Sequence, residues 1–102
     1  MKNTTITEFV KFRATETATT EVLISKVSLL NNFLKMQDGF VDAELVKDIK
    51  ENEWCIVYHF EDMDKVKSIG EKMRKSNEFG EFVKFIVPET VSVTLHNHLA
   101  EW

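Results

Sequence analysis

Apolar residues in this chain fall into six stretches whose periodicities follow one another in a fixed order. Residues Ile6–Ala14 alternate with a period of two, and residues 20–36 recur at intervals of three and four. Phe40–Lys47 and Trp54–Phe60 alternate again, Met63–Arg74 returns to the helical interval, and residues 90–98 alternate once more. The order is β-α-β-β-α-β, the split βαβ arrangement of a ferredoxin-like α+β domain with an antiparallel sheet. Few other small architectures accept this order, so the chain speaks clearly about fold before it says anything about chemistry.

The strands differ in how many of their faces are apolar. In the first, Ile6, Glu8, Val10, Phe12 and Ala14 share one face, and Thr7, Phe9, Lys11 and Arg13 share the other. In the third, Trp54, Ile56, Tyr58 and Phe60 oppose Cys55, Val57 and His59. Bulky groups on both sides mark these two as central strands, covered above and below. The second strand alternates Val41, Ala43 and Leu45 against Asp42, Glu44 and Val46, a half-buried pattern. In the last strand Val91, Val93 and Leu95 oppose Thr90, Ser92, Thr94, His96 and His98.

Thr19 is the expected N-cap of the first helix, where Leu23, Val27, Leu30 and Leu34 form a buried stripe. Gly39 suits the left-handed position that ends it. Asn52 is the best turn former in the charged hairpin connection 48–53. Asp62 caps the second helix, whose stripe is Met63, Val66, Ile69 and Met73, and Gly70 within it suits close approach to the sheet. Residues 76–85 read as a short extra helical turn that Pro88 brings to a close.

At 102 residues the chain is expected to form one domain, 1–102, large enough for a core but a thin one. The net charge of -4 and the absence of a basic cluster argue against nucleic acid and anionic membrane surfaces as partners. Lys65, Lys67, Lys72, Arg74 and Lys75 crowd the second helix, but Asp62, Asp64 and Glu71 are interspersed, as on a solvated face. No apolar run approaches a membrane span and residues 1–20 carry no leader pattern. The single cysteine, Cys55, cannot form an internal disulfide, so a cytoplasmic setting is expected, with an inert mid-strand thiol.

A handful of polar groups have places from which they can do chemistry. Glu8 lies on an otherwise apolar strand face; buried, its carboxylate has a raised pKa and serves as a base, whereas at the strand's start it is wet or paired with a lysine. Trp54 and Tyr58 share a face and either stack on an aromatic ligand or fill an interface. His96 and His98 point the same way; a third ligand such as His59 would make a metal site, and one imidazole alone would make a base. No phosphate-binding glycine loop or nucleophile elbow occurs.

Three short segments resemble the antibiotic biosynthesis monooxygenase-like domains of the dimeric α+β barrel superfamily. Gln37-Asp38-Gly39-Phe40-Val41 resembles the Pro-Gly-Phe/Cys turn after that family's first helix. Val57-Tyr58-His59-Phe60-Glu61-Asp62 is similar to its strand-to-helix junction, often Glu-x-Trp-x-Ser/Asp, with Tyr58 and Phe60 here in place of the Glu and Trp. Ser76-Asn77-Glu78-Phe79 resembles its Ser/Thr-x-x-Phe/His turn. The resemblance implies a homodimer in which two sheets pack face to face as a barrel. A lone subunit would leave a whole sheet face wet, carrying either Trp54 and Tyr58 or Cys55 and Val57.

The resemblance further implies a sheet–helix cleft for a small apolar or aromatic molecule, and oxidation of an aromatic or polycyclic substrate with no cofactor and no metal. In that reading Glu8 or His96 accepts a proton and Tyr58 donates a hydrogen bond, while Val10, Phe12, Trp54, Tyr58 and Met73 bind substrate. The family's heme-degrading branch uses an Asn, a Trp and a His that align with Val10, Met73 and Val83, so heme degradation is not expected. The missing Glu and Trp at the junction leave open an alternative: a non-catalytic homodimeric sensor or carrier using the same cleft. A purely structural interaction domain, with the barrel filled and no cavity, is the third possibility.

Overall fold

The two strands with bulky groups on both faces lie side by side at the centre of the sheet. In a computed structural model that describes residues 4–102, the strand order is β2-β3-β1-β4, with β1 spanning Ile6–Ala14, β2 Phe40–Lys47, β3 Trp54–Phe60 and β4 Ile86–Asn97. All three pairings are antiparallel, and β1 aligns with β3 from Ile6↔Phe60 to Phe12↔Trp54. This is the ferredoxin-like arrangement that the element order predicts.

Helices α1 (Thr20–Leu34), α2 (Met63–Arg74) and α3 (Asn77–Val83) supply the other layer. Each begins at a side chain that accepts a hydrogen bond from an otherwise orphaned backbone N–H: Thr19 from Val22, Asp62 from Lys65 and Ser76 from Phe79. The core joins Leu23, Val27, Leu30 and Leu34 of α1 and Val66 and Ile69 of α2 to Ile6, Phe12, Trp54, Ile56, Tyr58 and Phe60 of the sheet. Trp54 and Tyr58 therefore lie beneath the helices, and the sheet's open face carries Cys55 and Val57.

α3 and the end of β4 fall within two residues of expectation, and three other features differ. α1 stops at Leu34 with Lys35 as its C-cap, rather than at residue 36. Gly39 takes the left-handed conformation (φ 95°) in the turn into β2 instead of at the helix end. A Cβ there would collide with the Cβ, Cγ and Cδ of Lys65, so the position demands glycine sterically as well. β4 begins at Ile86, and Pro88 lies inside it. The proline is tolerated because β4 is an edge strand and its register against β1 breaks between Lys11↔Ser92 and Arg13↔Val87. Thr90 bridges the break, its hydroxyl accepting from Arg13 N–H at 2.8 Å and donating to the Val87 carbonyl. No helix among the described residues is long and apolar enough to cross a membrane.

Candidate functional site: an apolar cavity between sheet and helices

The helices do not reach across the whole sheet. On their side of β4, Val91, Val93 and Leu95 remain 42%, 55% and 43% exposed. Between these residues and helices α2 and α3 lies a cavity of about 650 Å³, large enough for a small ring system. Its walls are aliphatic and aromatic, with Val10 and Val93 on the sheet and Met73 and Phe79 on the helical side.

Glu8 and Tyr58 interrupt this apolar wall. Strand register pairs them directly across β1 and β3, and their side chains leave the sheet on the same face. Ile6 and Val10 flank Glu8 along its own strand, and Leu95 pairs with it on the β4 side. Taking a carboxylate out of water among such groups disfavours its charge, so burial raises the Glu8 pKa, and the nearby Arg74 guanidinium opposes that in part. Tyr58 is only 4% exposed. Its burial, reinforced by the negative charge of Glu8, pushes the phenol pKa far upward, so Tyr58 is a neutral hydrogen-bond donor throughout the physiological range. Among the described residues neither side chain has a hydrogen-bond or ion-pair partner, yet both line the cavity. A proton acceptor and a proton donor thus stand side by side with their polar atoms uncommitted.

The architecture recurs in solved structures. SnoaB, a cofactor-independent oxygenase from Streptomyces nogalater, superposes with a TM-score of 0.73 over 96% of this chain and 96% of its own, at 14% identity. PA3566 from Pseudomonas aeruginosa gives 0.68 over 95% and 96% at 16% identity. A Nitrosomonas europaea protein provisionally named an antibiotic biosynthesis monooxygenase gives 0.70 over 93% and 99% at 8% identity. The chain shares the fold of these three proteins. No family profile and no curated protein sequence matches the chain.

Within this fold the residues expected at the site divide into three groups. Glu8, Val10, Tyr58 and Met73 line the cavity together. Phe12 and Trp54 lie at the far end of the same sheet face, nearly parallel with ring centroids 6.5 Å apart, and Phe82 meets Phe12 edge-on at 5.6 Å. Phe12 and Trp54 border a smaller, charged groove with Lys47 and Asp48 and do not line the cavity. His96 projects from the opposite face of the sheet, edge-on to Phe9 at 5.0 Å, and the sheet separates it from Glu8 and Tyr58.

The other two histidines share that open face. His59 pairs with Asp42 at 2.5 Å and meets the His98 ring edge-on at 5.7 Å, while His98 is 3.2 Å from the Thr7 hydroxyl. No group of three metal-ligating side chains is gathered among the described residues. Cys55 is half-buried on the same face, and burial raises its thiol pKa, which suits an unreactive group. Val10, Met73 and Val83, aligned with the polar residues of the heme-degrading branch, all line the cavity and present only apolar side chains to it.

Two site features escaped the sequence reading. Arg74 and Gly70 of α2 both line the cavity; Arg74 is exposed, as the solvated-face reading of this helix expects, and borders the cavity as well. The space beside Gly70 is taken by Arg74 rather than by the sheet: its Nη1 lies 3.2 Å from where a Cβ would stand. The available signal was the spacing itself, a glycine four residues before an arginine on an otherwise regular helix.

Proposed function

We propose that this protein is a cofactor-independent monooxygenase acting on a small aromatic or polycyclic phenol held in the sheet–helix cavity. The observation that carries this reading is the Glu8–Tyr58 pair, adjacent, uncommitted and set in an apolar wall. The likeness to a cofactor-independent oxygenase in fold supports it as an analogy.

In the proposed reaction the phenol loses its proton to the Glu8 carboxylate, and the Tyr58 hydroxyl donates to the resulting phenolate oxygen. The electron-rich phenolate passes one electron to dioxygen, and the two radicals join at the ring carbon opposite the oxygen. The hydroperoxide so formed loses water and leaves a quinone, with Glu8 returning its proton. One dioxygen is consumed and one water released per quinone, dioxygen being both oxidant and oxygen source. The apolar walls keep bulk water from the intermediates.

Oxygen uptake by the purified protein with a panel of polycyclic phenols, followed together with quinone absorbance, tests this. Equal amounts of dioxygen lost and quinone gained are expected, with Glu8→Gln slowing turnover by about a hundredfold. Binding of the phenols without oxygen uptake would favour a non-catalytic sensor or carrier. One observation supports that second reading: the imidazole expected to assist, His96, lies across the sheet from the cavity.

We also propose that the working form is a homodimer. The open face of the sheet has no helix over it; Phe9 is half-buried there, and Val57, its partner across β1 and β3, is already buried. Leu99 and Trp102 beyond β4 are fully exposed. A second copy of the chain would cover such surface.

A further inference from the structure

The wall of the cavity carries a cation as well as a carboxylate. Arg74 lies on the last turn of α2 at the rim of the cavity, exposed to solvent, and among the described residues its guanidinium has no ion-pair partner. It folds back along the helix into space that Gly70 leaves open, and its charge acts on Glu8 across the cavity. Lys67 and Glu71 also border the cavity, but they stand four residues apart with opposite signs, and neither uses the gap at Gly70. Arg74 is therefore the cation that the local backbone makes room for.

We propose that Arg74, seated over Gly70, makes the cavity selective for ring systems bearing an acidic hydroxyl, whose oxygen lies between the guanidinium and the Glu8 carboxyl. This rests on the cavity being the ligand site, as proposed above. The pairing selects a hydroxyl over a carboxylate. A hydroxyl gives its proton to Glu8 and becomes an oxyanion facing Arg74, so the total charge of the site is unchanged. A ligand carboxylate has no proton to give at neutral pH and meets Glu8 as a second negative charge. A neutral hydrocarbon fills the apolar walls and gives neither charged group a hydrogen bond.

Three ring probes of similar size separate these cases: naphthol, naphthoate and methylnaphthalene. Each is titrated at neutral pH into the wild-type protein and into Arg74→Met, Gly70→Ala and Lys67→Met variants, with binding followed by fluorescence. In the wild type, naphthol binds about tenfold more tightly than methylnaphthalene, and naphthoate binds no more tightly than methylnaphthalene. Arg74→Met abolishes the preference for naphthol and leaves methylnaphthalene unchanged. Gly70→Ala pushes the guanidinium aside and reduces the preference while making the helix more stable, so weaker binding there is not a folding defect. Lys67→Met behaves as wild type. Equal binding of naphthol and methylnaphthalene, a preference that survives Arg74→Met, or naphthoate as the tightest ligand would each overturn the inference while leaving the cavity as the ligand site. Failure of all three probes to bind would overturn the cavity reading and this inference with it.

Discussion

At the scale of the residue, Glu8 carries the greatest tension between folding and function. An ionised carboxylate beside Ile6, Val10 and Leu95 gives up more in hydration than the Arg74 charge returns, which is why its pKa is raised. The folded protein therefore binds the Glu8 proton more tightly than the unfolded chain does. The linked stability is full below the ordinary carboxylate value of 4.5 and is lost as pH rises through the folded-state pKa. Glu8→Gln is expected to raise the thermal midpoint at pH 7, with the gain shrinking as pH falls toward 4.5; a variant less stable than wild type at pH 7 would contradict this account. The position of Glu8 was legible in the sequence because strand alternation alone puts it with Ile6 and Val10, and the same rule puts Tyr58 with Trp54. Arg74 was not legible. Its role depends on the guanidinium folding back over Gly70, and helical periodicity assigns a face to a Cβ but not an endpoint to a long flexible side chain.

Among the elements, the hairpin between β2 and β3 shows how one side chain fixes several pieces at once. Asn52 reads as a turn former, and in the structure it does more. Its amide donates to the Ala14 carbonyl at 2.8 Å, and its oxygen accepts from Ala14 N–H and from the Trp54 indole at 3.0 Å. The end of β1, the hairpin and the buried Trp54 are thereby locked together. Asn52→Ala breaks this lock and leaves the indole N–H without its partner, so a loss of about 2 kcal/mol is expected in denaturant unfolding. Gly70→Ala runs the other way, with a gain of up to about 1 kcal/mol from helix propensity. The order and type of the elements followed from periodicity because each long apolar stripe has a single face to bury. The start of β4 did not follow, because Pro88 reads as a terminator when its neighbours in space are unknown. Only the edge position and the register break at Lys11/Arg13 make room for it.

For the whole molecule, the sequence established that a sheet face would be left bare but not which one. Both faces of β1 and β3 are bulky, and choosing between them requires knowing on which side the helices pack. With Trp54 and Tyr58 inside, the face without helices carries half-buried Phe9 and buried Val57 among polar groups, and the proposed partner is a second copy of the chain. Sedimentation at micromolar concentration is expected to give a two-chain species, and Phe9→Glu to shift it toward single chains with an unchanged far-ultraviolet spectrum. A wild-type protein that sediments as one chain would remove the dimer from the account while leaving the cavity, which lies within one subunit. The claim on which the functional reading rests is that this cavity receives a small aromatic molecule. Methyl-group NMR during a titration with naphthol tests it most directly. Shift changes at Val10, Val66, Met73, Val93 and Leu95, with Val46 and Val57 on the opposite face unmoved, are the predicted result; changes centred on Val46 and Val57, or none at all, would contradict it.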